Sequence, residues 1–353
     1  MLARALTVSL ADLADARQVA EIDAWLDAAE GSTPFHRPAW IGAVARGCRQ
    51  SALMPVARRG GALVGVLPLN RIASRLFGRA LVSSGFAVGG GILADDAEAV
   101  EALADEGWRL AVEHRCPTAE LRGGRLPEGA EWVRKSDAYL DFAKPLEADD
   151  EAQLLAVPRK HRAEVRKGLA NGLTIEIGRD RRLLDIHYRL YAENVHRLGT
   201  PVFPKALFAE VLEAFGERAD IAVASKDGVP LSSVFSLYHR GACMPYWQGS
   251  AFAARAMRSN EAVYFHLMRH ARERGCTLFD FGRSKVGTGP AAWKKSWGWE
   301  GKPLTYALRA APGQEPRDIN PLSPHYRRKV ELWKKLPLPV ASFLGPYLAR
   351  GLG

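Results

Sequence analysis

The sequence has no long apolar run. Among its 353 residues, no uninterrupted apolar stretch approaches the roughly 20 residues that a membrane-spanning helix requires. The N-terminal segment MLARALTVSLADLADARQ reaches acidic residues after only a few apolar ones, whereas a secretory signal needs an apolar region of about 7–15 residues. We therefore expect a cytoplasmic protein.

Cysteine is scarce, and several common motifs are missing. Cys48, Cys116, Cys243 and Cys276 form no C-x-x-C pair, which argues against a zinc site or a disulfide framework. We expect each of them to be a small buried residue. The glycines after position 281 do not follow the G-x-x-x-x-G-K-[ST] spacing of a nucleoside-triphosphatase loop, so no ATPase is implied.

Positive charge is in excess, and the excess is clustered. The formal net charge is +10. Between Arg159 and Arg182 there are eight Lys or Arg against three Asp or Glu, and from Arg327 onward there are six against one. This clustering favours an anionic partner such as a phosphate, a nucleotide-sugar, tRNA or an acidic membrane surface. The alternative is a set of solvated basic helix faces.

One order of elements occurs twice along the chain. A predicted hairpin over 53–69, a helix over 98–114 and a strand over 118–121 are followed later by a hairpin over 221–238, a strand over 242–248, a helix over 260–274 and a strand over 276–281. Short stretches of sequence repeat as well: Glu98-Ala-Val100 matches Glu261-Ala-Val263, and Cys116 matches Cys276. Two copies of one hairpin–helix–strand unit predict a tandem α/β protein with mixed sheets.

The duplication sets the predicted domains. We expect an N-terminal domain over 1–150, a basic connecting helix over 151–175, a C-terminal domain over 176–310 and a Pro-rich basic tail over 311–353. The prolines that follow Asp318 prevent the tail from being one long helix. We expect it to pack back on the N-terminal domain or to lie shallowly on a membrane.

The second copy carries a recognisable signature. The segments Phe279-Asp-Phe-Gly-Arg-Ser284 and Trp293-Lys-Lys-Ser-Trp-Gly298 resemble the C-terminal half of FemAB-like proteins, and most closely the FemAB-related group associated with exosortase (PEP-CTERM) exopolysaccharide systems. Pro158-Arg-Lys-His-Arg162, His196-Arg-Leu-Gly-Thr-Pro-Val-Phe-Pro204 and Tyr246-Trp-Gln-Gly-Ser250 support the resemblance, which spans roughly residues 5–345.

This resemblance implies two GNAT-like domains with a cleft between or beside them. Fem-type relatives move an aminoacyl group from charged tRNA onto an amine of a peptidoglycan precursor, and other members of the superfamily use acyl-CoA. An aromatic–Lys pair is functionally implicated in Fem enzymes, and Trp293–Lys294 matches it here with Trp in place of the usual Phe. The coiled-coil arm of some tRNA-using Fem proteins is absent, which leaves the donor open.

Acyl transfer needs a held acceptor, a group that takes its proton and positive charge for the oxyanion. We name Lys294, Asp280 and Trp293 as the candidate catalytic residues. The alternatives are a solvated lysine and an Asp280 that caps the turn after it. The candidate binding residues are Tyr246, Trp247, Ser250, Asn260, Gly282, Ser284, Lys285, Gly287, Lys295, Arg159, Lys160, Arg162, Arg166, Lys167, Arg255 and Arg258.

Two of these sets have an expected role. The amides around Gly282 and Gly287 could cradle a phosphate. The [RQ]-x-x-G-x-[GA] signature of acyl-CoA enzymes is missing at 253–260, where Arg255 and Arg258 could hold phosphate by their side chains instead.

Three functions stay open. The first is an acyl- or aminoacyltransferase acting on a cell-envelope or exopolysaccharide precursor, an anionic glycan that is lipid-linked or of the peptidoglycan type. The second is a CoA-dependent N- or O-acyltransferase with an unrelated acceptor. The third is a non-catalytic basic protein that binds a membrane or another anion. We expect no metal and no tightly bound cofactor, with acyl-CoA or aminoacyl-tRNA as co-substrate. The sequence does not give the oligomeric state.

Overall fold

The computed structural model describes residues 5–315 and 324–353. Its helices are α1 (Ala16–Ala28), α2 (Pro38–Cys48), α3 (Ala97–Glu113), α4 (Asp150–Ala156), α5 (Arg159–Ala170), α6 (Arg181–Leu198), α7 (Lys205–Phe215), α8 (Ala254–Met257), α9 (Ser259–Glu273), α10 (Gly289–Ser296), α11 (Pro324–Lys334) and α12 (Leu338–Ala349). Short 3₁₀ helices cover Pro34–His36 and Gly216–Arg218.

The strands are β1 (Leu6–Leu10), β2 (Ser51–Leu53), β3 (Pro55–Arg59), β4 (Ala62–Val66), β5 (Leu69–Ser74), β6 (Gly78–Ser83), β7 (Leu93–Ala94), β8 (Thr118–Arg122), β9 (Val133–Asp141), β10 (Ala143–Pro145), β11 (Thr174–Gly178), β12 (Ala219–Lys226), β13 (Val229–His239), β14 (Ala242–Ser250), β15 (Leu278–Asp280), β16 (Ser284–Lys285) and β17 (Lys302–Ala310).

The chain divides into two compact units. Among the described residues, the first contains 5–137, 305–315 and 347–353, and the second contains 138–304 and 324–346. The division therefore falls near residue 137, where the sequence predicted 150. The predicted connecting helix, α5, lies inside the second unit. The last residues of the chain belong to the first unit, whereas most of the described tail belongs to the second.

In the first unit, one long hairpin supplies strands to two sheets. Its arms break at Met54 and at Leu67–Pro68, so that β3 pairs with β4 and β2 pairs with β5. The outer halves join the sheet β1-β3-β4-β7, and the inner halves continue into the order β17-β8-β6-β5-β2. Leu69, Leu81 and Leu121 from the strands form the core with Leu103 and Leu110 of α3.

In the second unit, a six-stranded sheet has the order β10-β15-β14-β13-β12-β11. The turn Asp227–Gly228 joins β12 to β13, and both residues have positive φ, 49° and 78°, as the sequence predicted. Helix α9 ends before Gly275, whose φ of 78° fits the predicted position just beyond the helix. The core is rich in large aromatic side chains, including Phe279, Trp297 and Trp299.

The predicted duplication is present in both units. In the first, α3 connects β6 to its parallel neighbour β8. In the second, α9 connects β14 to its parallel neighbour β15. The repeated part of each unit therefore consists of a hairpin, a further strand, a helix and a strand that returns parallel to the one before the helix. This confirms the tandem mixed α/β plan.

Helix α5 packs closely against the start of α9. A Cβ on Gly168 would lie 2.6 Å from the carbonyl oxygen of Arg258 and 3.2 Å from the amide nitrogen of Ala262. Asn171 Nδ2 donates to Met257 O at 2.8 Å, and Glu164 forms an ion pair with Arg258. The first turn of α9 is therefore covered by α5.

The tail forms two helices, α11 and α12, as its prolines required. The predicted Pro-rich start of the tail, 318–323, lies outside the described residues. Within the described ranges, no helix is both long enough and apolar enough to cross a bilayer.

The contact at Gly168 gives a prediction. Replacing Gly168 with Ala should lower the free energy of unfolding by about 1–3 kcal/mol, because the new methyl group collides with backbone atoms of α9 that cannot rotate away. Urea unfolding followed by circular dichroism measures this. Gly289→Ala is the matched control, since its Cβ would meet nothing within 4 Å. Equal stability of the two variants would contradict the close packing of α5 on α9.

Candidate functional site

The Lys294 side chain is buried and points into the second unit. Its ammonium donates to three successive carbonyl oxygens, those of Phe281 at 2.6 Å, Gly282 at 2.8 Å and Arg283 at 3.0 Å. The Phe142 ring centroid is 5.4 Å from the same nitrogen. An ammonium has three protons to donate, so these carbonyls use all of them.

Strand geometry explains why a cation is needed there. Ala143 pairs with Asp280 in the β10–β15 ladder, and Leu140 pairs with Ser284 in the β9–β16 ladder. Between these two pairs, Asp141 and Phe142 oppose the three residues 281–283. The longer side has one extra residue, and a bulge of this kind interrupts the ladder. The Lys294 ammonium satisfies the carbonyl groups that the interruption turns inward.

Two carboxyl groups lie near enough to this ammonium to interact with it electrostatically. Asp280 is half-buried at the end of β15, and its Oδ1 accepts a hydrogen bond of 2.7 Å from the Gly282 amide. Burial, together with the Asp141 carboxylate, raises the pKa of Asp280 to about 7. Burial also raises the pKa of Asp141, against the attraction of Lys294. The pair therefore holds a proton more tightly than two solvated carboxylates would.

The lysine is perturbed in the complementary direction. Burial lowers the pKa of Lys294 to about 8, although Asp280 and Asp141 favour its charged form. The three groups thus form one titrating cluster, the Lys294 cluster (Lys294, Asp280 and Asp141), with its pKa values moved towards neutrality. Perturbed groups of this kind are typical of functional sites.

Trp293 precedes Lys294 on α10 and packs among aromatic rings. Its ring centroid is 4.9 Å from that of Tyr264 and 5.6 Å from that of Phe281. Its indole nitrogen donates to Glu261 at 3.4 Å. His161 of α5 packs on Trp297, with 4.9 Å between ring centroids, and burial lowers its pKa.

The parallel strands beside the cluster separate early. Strands β14 and β15 pair only at Ala242 with Leu278 and at Cys243 with Phe279, after which β14 continues to Ser250 paired with β13 but not with β15. Pro245 lies in this continuation, where its missing N–H costs no bond to β15. The ladder with β13 passes from Trp247 to Pro245, so Tyr246 is the extra residue of a β-bulge. The strands thus open beside Asp280.

The corresponding place in the first unit is closed. There β6 and β8 stay paired to Ser83, the last residue of β6. The chain then packs Gly91 against Gly123 so closely that a Cβ on Gly91 would lie 1.8 Å from the Gly123 carbonyl oxygen. Only the second unit therefore has separated parallel strands beside an ionisable cluster, among the residues that the structure describes.

The remaining predicted residues of β14 and α9 are largely internal. Trp247 is buried in the core, its ring 4.5 Å from that of Phe208. Asn260 accepts hydrogen bonds from Ser232 at 2.7 Å and from Gln248 at 3.0 Å. Ser250 is buried and donates to Asn194 of α6 at 3.3 Å. These groups form a polar network that fixes the end of β14.

The predicted phosphate-binding loop has another structure. The amide of Gly282 is bonded to Asp280, Ser284 and Lys285 form strand β16, and Val286 N donates to Ala138 O at 3.1 Å. These contacts are intramolecular, where the sequence predicted amides aimed at a phosphate. Gly287 is exposed and has a φ of 76°.

The basic candidates divide into two groups. Arg162 is used inside the fold, because its guanidinium donates to Leu155 O at 2.6 Å and to Val157 O at 3.0 Å. Arg258 is held by Glu164. The exposed cations are Arg159, Lys160, Arg166, Lys167, Arg255 and Lys295.

Sequence reasoning missed Asp141 and His161. Asp141 is the last residue of β9, and a polar residue at a strand end is a weak signal by itself. His161 stands among basic residues, which hid its inward direction. No group of His, Cys, Asp and Glu in the described ranges is arranged to hold a metal ion.

Removing the buried ammonium should destabilise the second unit. Lys294→Met leaves three inward carbonyls without a donor and two carboxyl groups without a cation, so we expect a loss of about 3 kcal/mol in the free energy of unfolding. Lys295→Met, an exposed neighbour, should change it by less than about 0.5 kcal/mol. Denaturant unfolding of both variants tests this, and equal values would show that Lys294 does not hold the loop.

The raised pKa of Asp280 gives a pH prediction. A carboxyl group whose folded pKa exceeds its unfolded value binds its proton more tightly when folded, so stability falls as pH rises from about 4 to about 7. The Asp280→Asn variant has no carboxyl group at this position and therefore does not lose stability in this way as the pH rises. Its stability relative to wild type should therefore increase by about 1–3 kcal/mol over that window. Urea unfolding at intervals between pH 4.5 and 7 measures it, and a constant difference would contradict the raised pKa.

Comparison with known proteins agrees with this architecture. Residues 157–295, within the second unit, match the Acetyltransferase (GNAT) domain family. No curated protein sequence is significantly similar to the chain. Among solved structures, FemX superposes with a TM-score of 0.63 at 15% identity, covering 82% of this chain and 95% of FemX.

Two further structures resemble the chain over most of its length. The tandem GNAT protein of the clavulanic acid biosynthesis pathway gives a TM-score of 0.55 at 13% identity, over 88% of this chain and all (100%) of that one. The C-terminal domain of a candidate lysylphosphatidylglycerol synthetase from Agrobacterium fabrum gives 0.54 at 13% identity, over 84% and 93%. The chain therefore has a tandem GNAT-like fold, and residues 157–295 are similar to the GNAT acetyltransferase domain family.

Proposed function

We propose that the protein is an acyltransferase that moves an acyl or aminoacyl group onto an amine or hydroxyl of a cell-envelope or exopolysaccharide precursor. The observation that carries this proposal is the opening of β14 from β15 next to Asp280, whose pKa of about 7 suits proton transfer near neutral pH. The GNAT domain match and the likeness to FemX support the same class of reaction.

The proposed reaction follows from which groups of the Lys294 cluster can accept or donate a proton. As the acceptor nitrogen or oxygen attacks the carbonyl carbon of the donor, Asp280 takes the acceptor proton. When the tetrahedral intermediate collapses, the leaving oxygen or sulfur departs with the electron pair of the broken bond and takes that proton from Asp280. Lys294 cannot stabilise the oxyanion while its three protons bind carbonyl groups. We assign it the role of fixing Asp280 and the 281–283 loop.

The donor is acyl-CoA or aminoacyl-tRNA, acting as a co-substrate. If the donor were acyl-CoA, backbone amides at the start of the helix after the central strand would bind the pyrophosphate of CoA. Here that helix is α9, and α5 covers its first turn through Gly168, Asn171 and Glu164. This contact favours a donor whose phosphates bind elsewhere, and so an aminoacyl ester over an acyl thioester of CoA.

The exposed face of α5 supports an anionic substrate. Arg159, Lys160 and Arg166 are exposed there. A run of cations on one helix attracts phosphate-bearing molecules such as a lipid-linked precursor or tRNA. The acceptor class also suits the likeness to FemX and to the lysylphosphatidylglycerol synthetase domain.

Helix α12 supports peripheral contact with a membrane. Val340, Phe343 and Leu344 are exposed and recur at helical spacing, while Ala341 is buried. Lys334 and Lys335 lie just before this helix and are also exposed. An apolar stripe next to lysines fits shallow insertion among anionic lipids, which would bring the enzyme to a lipid-linked acceptor.

Comparison of a deletion strain with its parent tests the function. Mass spectrometry of envelope glycans and their precursors should show one acylated species that disappears on deletion. Wild-type protein should restore it, and Asp280→Asn should restore it to less than about a hundredth, because general-base catalysis contributes roughly 10²–10⁴-fold. Asp227→Asn, an exposed turn residue, is the matched control and should restore it fully.

Two results would overturn the proposal. If deletion changes no envelope component, a non-catalytic basic protein on this fold becomes the better interpretation. If Asp280→Asn restores the species as well as wild type does, Asp280 is not the base. Calorimetry with CoA and with aminoacylated tRNA then separates the donors, since the covered start of α9 predicts weak or no binding of CoA.

A further inference from the structure

The first unit contains a recess lined by arginine. It has a volume of about 660 Å³ and lies between the β5–β6 hairpin and the C-terminal end of α3. Its polar lining consists chiefly of Arg71, Arg75, Arg79, Glu113, His114 and Arg115. None of these residues belongs to the site in the second unit, and we name this set the arginine recess.

The strand register explains why the recess forms. Arg71 pairs with Leu81, and Ala73 pairs with Arg79. Paired residues of antiparallel strands share a face, as do alternate residues of one strand, so Arg71, Ala73 and Arg79 continue the face of Leu81. Leu81 is covered by the core around α3. Beyond Leu81, the same face of the β5–β6 hairpin lies next to the C-terminal end of α3. The small side chain of Ala73 leaves space there between Arg71 and Arg79.

Charge in the recess is poorly balanced. The only acidic lining residue, Glu113, is held by Arg109 at 2.7 Å. Among the described residues, Arg71, Arg75, Arg79 and Arg115 form no ion pair. The carbonyl end of α3 contributes about half a negative charge. That is far less than four guanidinium groups require.

Arg71 adds a second observation. Its Nε is buried and has no hydrogen-bond acceptor. The Cys116 thiol interacts with the guanidinium, but sulfur is a weak acceptor. A buried donor without an acceptor is destabilising, and so is the repulsion between neighbouring guanidinium groups. An anion bound in the recess would relieve the repulsion between the guanidinium groups that line it.

We propose that the arginine recess binds a phosphate- or diphosphate-bearing ligand. Guanidinium groups present paired donors that match phosphate oxygens, and every strong cation here is arginine. The volume exceeds that of one phosphate ion, so it accommodates an organic phosphate. The ligand is either a soluble phosphate ester or a phospholipid headgroup.

Binding of inorganic pyrophosphate to the full chain tests the site. Calorimetry should show binding to wild type and about tenfold or greater weakening in Arg71→Gln/Arg79→Gln, since each lost charged hydrogen bond costs about tenfold or more. The control Arg17→Gln/Arg189→Gln removes the same charge from exposed positions elsewhere and should bind within about twofold of wild type. Asp280→Asn should bind normally, because this site is independent of the transfer reaction.

Vesicles distinguish the two sources of phosphate. If sedimentation with phosphatidylglycerol vesicles is lost in Arg71→Gln/Arg79→Gln and pyrophosphate competes with it, the ligand is a headgroup. If only pyrophosphate binds, it is a soluble ester. Should that variant fail to fold, Arg75→Gln/Arg115→Gln at exposed positions replaces it. The proposal is overturned if neither probe binds wild type, or if the control loses as much affinity as the recess variants.

Discussion

The burial of one ammonium group organises the second unit. Residues 281–283 exceed their opposing segment by one residue, and the carbonyl groups that this excess turns inward are bonded by Lys294. Burial raises the pKa values of the nearby Asp280 and Asp141, and the charge of Lys294 opposes part of that rise. The irregular strand pairing thus brings one cation beside two desolvated carboxyl groups, and because burial outweighs the cation, Asp280 can exchange a proton near neutral pH.

The two units show how one duplicated plan has diverged. Each carries a helix between two parallel strands, α3 in the first and α9 in the second. In the first unit the strands remain paired and Gly91 packs on Gly123, which leaves no room between them. In the second, the strands part after Cys243 and a β-bulge follows at Tyr246. The same topology therefore supplies a closed scaffold once and an open site once.

Much of this could be predicted from the sequence, because it is encoded locally. Hairpin turns such as Asp227–Gly228, helix ends such as Gly275 and the order of elements depend on neighbouring residues. The family signature also named Asp280 and Lys294 together as candidate catalytic residues. The inward direction of Lys294 and the presence of Asp141 could not be predicted, because both depend on a pairing between distant segments. The same limit applies to Arg162. Its partners are carbonyl groups left free where α4 ends, and that position depends on the folded structure.

The positive charge of the chain has more than one physical use. Lys294 and Arg162 donate hydrogen bonds to carbonyl groups inside the second unit, and Arg258 forms an ion pair with Glu164. These cations are therefore already engaged within the fold. Arg159, Lys160 and Arg166 stand exposed on α5. Arg71 has a buried nitrogen without an acceptor. A net charge read from composition treats all of these alike. Only those whose donors remain unused can select a phosphate-bearing partner, because a guanidinium already bonded to carbonyl oxygens must break those bonds before it binds anything else.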